Sequence, residues 1–77
     1  MDYLGKEIKM YPVSSSNVME IGYDAVSEAV FVRFTNNSLY TYKGVNEIAF
    51  EELKTASSVG SCLARSFKNV YPYERIE

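Results

Sequence analysis

Histidine and tryptophan are absent from this 77-residue chain, and cysteine occurs once, as Cys62. With no imidazole there is no histidine acid/base chemistry, no Ser-His or Cys-His nucleophile pair, and no Cys/His set for structural zinc. A single thiol excludes an intramolecular disulfide and fits a reducing compartment. No apolar run approaches the ~20 residues that span a bilayer, and residues 1–7 do not have the pattern of a signal peptide. Asn36-Asn37-Ser38 formally matches a glycosylation acceptor, but without a secretion signal it reads as turn chemistry. These absences lead to the expectation of a cytoplasmic protein with no cofactor, no metal and no membrane contact. They also argue against an enzyme of any common hydrolytic or metal-dependent type.

What is present describes one small domain. Hydrophobic residues make up 47% and charged residues 23% of the chain, the balance of a folded protein. A domain of this size buries roughly 60% of its unfolded surface, so its core is modest. Eight basic residues face ten acidic ones, net −2, a sign opposite to that of most counterion-releasing nucleic-acid binders. The charges are unevenly spread. No acidic residue occurs from Leu53 to Tyr73, where Lys54, Arg65 and Lys68 lie, whereas Glu47, Glu51 and Glu52 come just before. On helices, such polarity complements the macrodipole.

Residues 1–11 read as an N-terminal extension or irregular segment, and residues 12–77 as a single domain. The alternation in Val18–Tyr23 places Met19, Ile21 and Tyr23 on one face of a strand. Gly22 within it suggests a bulge or a close backbone approach. Ala29–Thr35 is rich in β-formers, and Ser38–Tyr42 follows after Asn36-Asn37, the composition of a two-residue hairpin turn. That register sets Phe34 opposite Leu39 and Val32 opposite Thr41 on a core face. It leaves Arg33 opposite Tyr40 and Phe31 opposite Tyr42 on an aromatic surface. Asn46 caps a helix running to about Thr55, with Ala49, Phe50 and Leu53 on its inner side. Ser57 or Ser58 caps a second helix in which Val59, Leu63, Phe67 and Val70 recur at spacings of three or four, and Tyr71-Pro72 stops it. The expected fold class is α+β: a three-stranded antiparallel β-meander followed by two short α-helices packed on one face.

The ordered set Val13-Ser14-Ser15-Ser16, Ile21-Gly22-Tyr23-Asp24, Phe34, Tyr40-Thr41-Tyr42 with Val45, and Ala56-Ser57-Ser58-Val59-Gly60 resembles the KTSC domain. That family is named for its occurrence at the C-terminus of some lysyl-tRNA synthetases and includes short stand-alone proteins of bacteria and phages. The resemblance covers roughly residues 12–73. This chain departs from the family in having Asn37 where a turn glycine is usual and Asn46 where proline is usual. It also carries Cys62, Leu63 and Ala64 where an aromatic pair and asparagine are usual. The resemblance implies a fold more than an activity; RNA binding has been suggested for the family from the synthetase context.

Three groups of residues are candidates for function. Ser57, Ser58 and Gly60 at a helix start, with Lys54, Arg65 and Lys68 around them, could hold a phosphate on free amides and hydroxyls. The alternative is a capped helix–helix turn in which Gly60 relieves a steric contact. Tyr40 and Tyr42, with Arg33, could stack nucleobases, pack in the core, or form the centre of an interface. Ser14–Asn17 could offer hydroxyls to a ligand or start the first strand by side-chain-to-backbone bonds. The leading expectation is a non-catalytic interaction module, an accessory protein of phage, prophage or bacterial origin. It would work through an unidentified protein partner and through itself as a homo-oligomer. The alternative is a module binding RNA or a nucleotide.

Overall fold

The computed structural model describes residues 1–77. In chain order the elements are β1 (Asp2–Tyr3), β2 (Lys6–Glu7), β3 (Met10–Pro12), β4 (Val18–Asp24), β5 (Ala29–Phe34), β6 (Leu39–Lys43), α1 (Glu47–Lys54), α2 (Val59–Ser66) and β7 (Tyr73–Arg75). Strands β1 and β2 form a small hairpin, and the other five make an antiparallel sheet in the order β3-β4-β5-β6-β7. The expected meander is therefore the centre of a wider sheet. Its two outer strands come from residues 10–12 and 73–75, three residues each and too short for an alternation to show in the sequence.

Both helices are capped as their sequences require. The Asn46 side chain accepts from the Ala49 amide at 2.8 Å, and the Ser58 hydroxyl accepts from the Ser61 amide at 3.3 Å. Phe50 and Leu53 of α1, with Val59, Cys62 and Leu63 of α2, are buried against Val18, Ile21, Val30, Val32 and Tyr42 of the sheet. Helix α2 ends earlier than its periodicity implied. Phe67 closes it, Asn69 takes φ 66°, and Val70 is 60% exposed.

The hairpin between β5 and β6 corrects the expected register. Three residues rather than two form its loop: the Asn37 amide donates to the Phe34 carbonyl at 2.8 Å and the Phe34 amide to the Ser38 carbonyl at 2.9 Å. Only Asn37 adopts positive φ, at 75°. That is a type I turn followed by a left-handed residue, a geometry that two asparagines serve as well as a two-residue turn. The Asn36 carboxamide oxygen adds bonds from the Ser38 amide and hydroxyl. As a result Val32 faces Tyr40, Phe31 faces Thr41 and Arg33 faces Leu39. One extra loop residue moves every β6 side chain to the opposite face. Tyr40 and Tyr42 thus lie on the helix side with Val30 and Val32, while Leu39 and Thr41 lie on the other side with Phe31 and Arg33.

That second face is also a core. Ile8, Ala29, Phe31 and Leu39 are buried together, with Met1, Tyr3, Met10 and Ile76 packed around them. The β1–β2 hairpin provides the cover, so residues 1–11 are an integral layer here and not an irregular lead. Reciprocal bonds between Met1 and Ile8 close it, and Lys6 pairs with Asp24 at 3.1 Å. The close approach expected at Gly22 occurs on this side. A Cβ there would sit 2.5 Å from Met10 Sδ and 2.8 Å from the Lys9 carbonyl. The bulge in β4 lies elsewhere, between Val18 and Glu20, and turns Met19 outward so that both Val18 and Ile21 point into the helix-side core.

Candidate functional site

The tyrosines of β6 stand between the sheet and α2. Tyr42 is 5% exposed and meets Phe67 edge-on at 5.8 Å between ring centroids. Burial, reinforced by the neighbouring Tyr73 and Tyr40 hydroxyls, pushes its own hydroxyl above the usual tyrosine range. Tyr40 is half-buried, packed edge-on to Phe34 at 5.5 Å and tilted against Tyr73 at 6.0 Å. Tyr73 extends this aromatic row from β7 and is 54% exposed.

Beside these rings opens a groove of about 440 Å³. Phe34, Tyr40, Tyr42 and Tyr73 form its aromatic side, and Leu63 and Ala64 of α2 its opposite wall. Asn17, Asn36, Ser38 and Lys68 bring amide, hydroxyl and ammonium groups to its rim. A second, more polar cleft adjoins it and shares Asn17, Gly60 and Ala64 with it. Six serines line this cleft: Ser14, Ser15 and Ser16 from the β3–β4 turn, and Ser57, Ser58 and Ser61 from the start of α2. Neither depression contains a carboxylate, although the chain has more acidic than basic residues. The acid-free stretch from Leu53 to Tyr73 supplies one wall of each, which accounts for much of this local bias.

The sequence candidates divide three ways. Tyr40, Tyr42, Gly60 and Lys68 line the groove, and Ser57, Ser58 and Gly60 line the serine cleft. Arg33, Lys54 and Arg65 line neither. Arg33 is on the opposite sheet face, paired with Glu77 at 2.6 Å and donating to the Asn37 carbonyl at 3.0 Å, so the register change removes it from the tyrosines. Lys54 Nζ sits 4.2 Å from the centroid of the Tyr11 ring. Arg65 donates from Nε to the Ser61 carbonyl at 3.3 Å on the exposed side of α2.

Gly60 is explained by packing: a Cβ there would sit 2.4 Å from Asn17 Oδ1, so the glycine admits the β3–β4 turn against α2. Within that turn, the Ser15 hydroxyl accepts from the Asn17 and Val18 amides, the strand-starting role considered for this segment. Phe34, Asn36, Ser38 and Tyr73 were not selected as site residues from sequence. Phe34, Asn36 and Ser38 converge with Tyr40 only in the observed register. Tyr73 reaches the site only because β7 returns to β6, and a tyrosine following a helix-stopping proline gives little sign of that. No group of three or more His, Cys, Asp or Glu side chains is arranged to hold a metal. No helix is long and apolar enough to cross a membrane.

Comparison with known proteins agrees with this architecture. A crystal structure of a KTSC domain protein from Yersinia pestis superimposes with a TM-score of 0.87 at 30% sequence identity, covering 92% of this chain and 100% of that one. A protein of Tsukamurella paurometabola is 37% identical over 51 residues, which are 66% of this chain and 76% of that protein. The KTSC domain family model matches residues 14–71, the stretch from the serine turn through both helices to Tyr71. The chain belongs to the KTSC domain family.

Proposed function

We propose that this chain is a non-catalytic binding module, and that its groove takes a nucleotide unit of a single-stranded nucleic acid. The observation that carries the reading is the makeup of the two joined depressions: an aromatic wall, carboxamides and hydroxyls at the rim, Lys68, and no carboxylate. Aromatic rings accept any base on their faces, amides and hydroxyls bond base edges and sugars, and an ammonium favours a phosphate. An acid-free lining matters most in a chain whose net charge is −2, because overall charge opposes an anionic ligand and the local surface must offset it. The lone thiol of Cys62 is buried, and the chain has no histidine to pair with it, which supports a binding role over a nucleophilic one. A cytoplasmic setting accords with that reduced thiol.

A labelled adenylate dinucleotide, titrated at low salt and followed by fluorescence anisotropy, tests the proposal. Binding should weaken as salt rises, and Lys68→Ala and Tyr73→Ala should each lower affinity severalfold. No anisotropy change at low salt ends the reading.

Self-association, or capture of a protein partner by a phage-type or bacterial accessory protein, is a second reading. One observation favours it: β7 is a sheet edge with Tyr73, Glu74 and Arg75 all exposed, where another strand could add. A concentration-dependent mass in sedimentation equilibrium, abolished by a proline at position 75, whose amide faces away from β6, would support it; a monomer at every concentration would remove it.

A further inference from the structure

A third feature involves residues that precede both walls of the serine cleft in the chain. Lys9 and Lys54 both point at one ring, Tyr11, with their Nζ atoms 5.2 and 4.2 Å from its centroid. The two lysines come from different elements, the segment before β3 and the last turn of α1. Neither belongs to any of the ion pairs in the molecule. Two like charges gathered at one aromatic ring, neither of them ion-paired, form a site ready to accept an anion.

The position of this cluster connects it to the groove. Tyr11 precedes Ser14 by three residues and Lys54 precedes Ser57 by three, and Ser14 and Ser57 belong to the two walls of the serine cleft. That cleft in turn shares Asn17, Gly60 and Ala64 with the aromatic groove. Three residues span at most about 10 Å, so the lysine–tyrosine cluster lies within that distance of Ser14 and Ser57.

We infer that the Lys9–Tyr11–Lys54 cluster is a second contact point for the same single strand. A strand held at the groove would continue across the serine cleft and place a downstream phosphate on the two lysines. This rests on the proposed function of the groove and extends it from one nucleotide unit to a track of about four or more, the lower range for small single-strand binding folds. Stacking in the groove and a phosphate contact at the lysines read no base edge, so the track tolerates any sequence.

The test compares adenylate oligonucleotides of two and eight residues on the intact chain and on a Lys9→Gln/Lys54→Gln variant. In the unaltered chain the octamer should bind at least tenfold tighter than the dimer. In the variant the octamer should lose most of that gain while the dimer is held as before. The slope of log affinity against log salt for the octamer should also become shallower by about 0.7, the contribution of the one single-strand phosphate held by the two lysines. Both side chains are at the surface, so circular dichroism should show an unchanged fold. If the dimer binds but the octamer gains nothing, or gains equally in the variant, the track is refuted and the groove reading stands. If neither oligonucleotide binds, both are refuted.

Discussion

Replacing Ile8 with alanine tests whether the N-terminal hairpin is a structural layer of the domain. Ile8 is 3% exposed and caps the smaller core formed by Ala29, Phe31 and Leu39. The change removes three carbon atoms from a packed site, worth about 0.8 kcal/mol each, so the loss is about 2–3 kcal/mol. That lies at the low end for Ile-to-Ala changes, as expected where a light two-stranded hairpin can settle into part of the void. A domain of this length has roughly 4–12 kcal/mol of total stability, so the loss is a large share of it. In urea, followed by circular dichroism, the midpoint should fall by about 2 M with an unchanged slope. Leu4→Ala in the same hairpin is the control, because Leu4 is 87% exposed and its loss should cost under about 0.5 kcal/mol. An Ile8 variant as stable as that control would mean that the hairpin does not dock in solution and that Phe31 and Leu39 are covered by something else.

Gly22→Ala should destabilise by about 2–3 kcal/mol in the same urea assay, since its Cβ would meet the Lys9 carbonyl at 2.8 Å and push β3 away from β4; a loss under about 0.5 kcal/mol would show that β3 is loosely held. High pH should also destabilise the fold. Tyr42 has a raised folded-state pKa, so above about pH 10 the unfolded chain releases its phenolic proton while the folded chain keeps it. The contribution is intact below that pH and is lost as pH rises towards the folded value, at a slope of at most about 1.4 kcal/mol per pH unit. Urea midpoints measured between pH 9 and 11 should fall less steeply for Tyr42→Phe, and parallel profiles would contradict the burial argument.

The physical reasons for these successes and failures differ from element to element. Helix starts were legible because Asn46 and Ser58 satisfy amides that have no other partner, a local requirement that a sequence displays directly. The central strands were legible because Val30, Phe31 and Val32 are β-formers in a continuous run. The register was not, because Asn36-Asn37 suits both a two-residue and a three-residue loop, and the choice depends on whether Phe34 or Thr35 closes the hairpin. That single ambiguity moved Tyr40 and Tyr42 from an outer to an inner face and separated Arg33 from both. The outer strands β3 and β7 were illegible for a different reason: three residues pair only because a neighbouring edge is already formed. Of the candidate site, the residues near the α2 start could be named in advance because they are contiguous. The groove joins five separate segments, and no local pattern announces such a meeting.

Strand β5 faces two cores at once, and their covers are made at different times. The chain leaves the ribosome from its N-terminus, so the hairpin that shields Phe31 is already present when β5 emerges. Val30 and Val32 must wait for α1 and α2, some twenty to thirty residues later in the chain. For that interval the nascent domain shows a bare, β-branched strand on one side only, the kind of surface that chaperones bind and that pairs wrongly with other chains. Shortening the chain from its C-terminal end should therefore yield insoluble fragments.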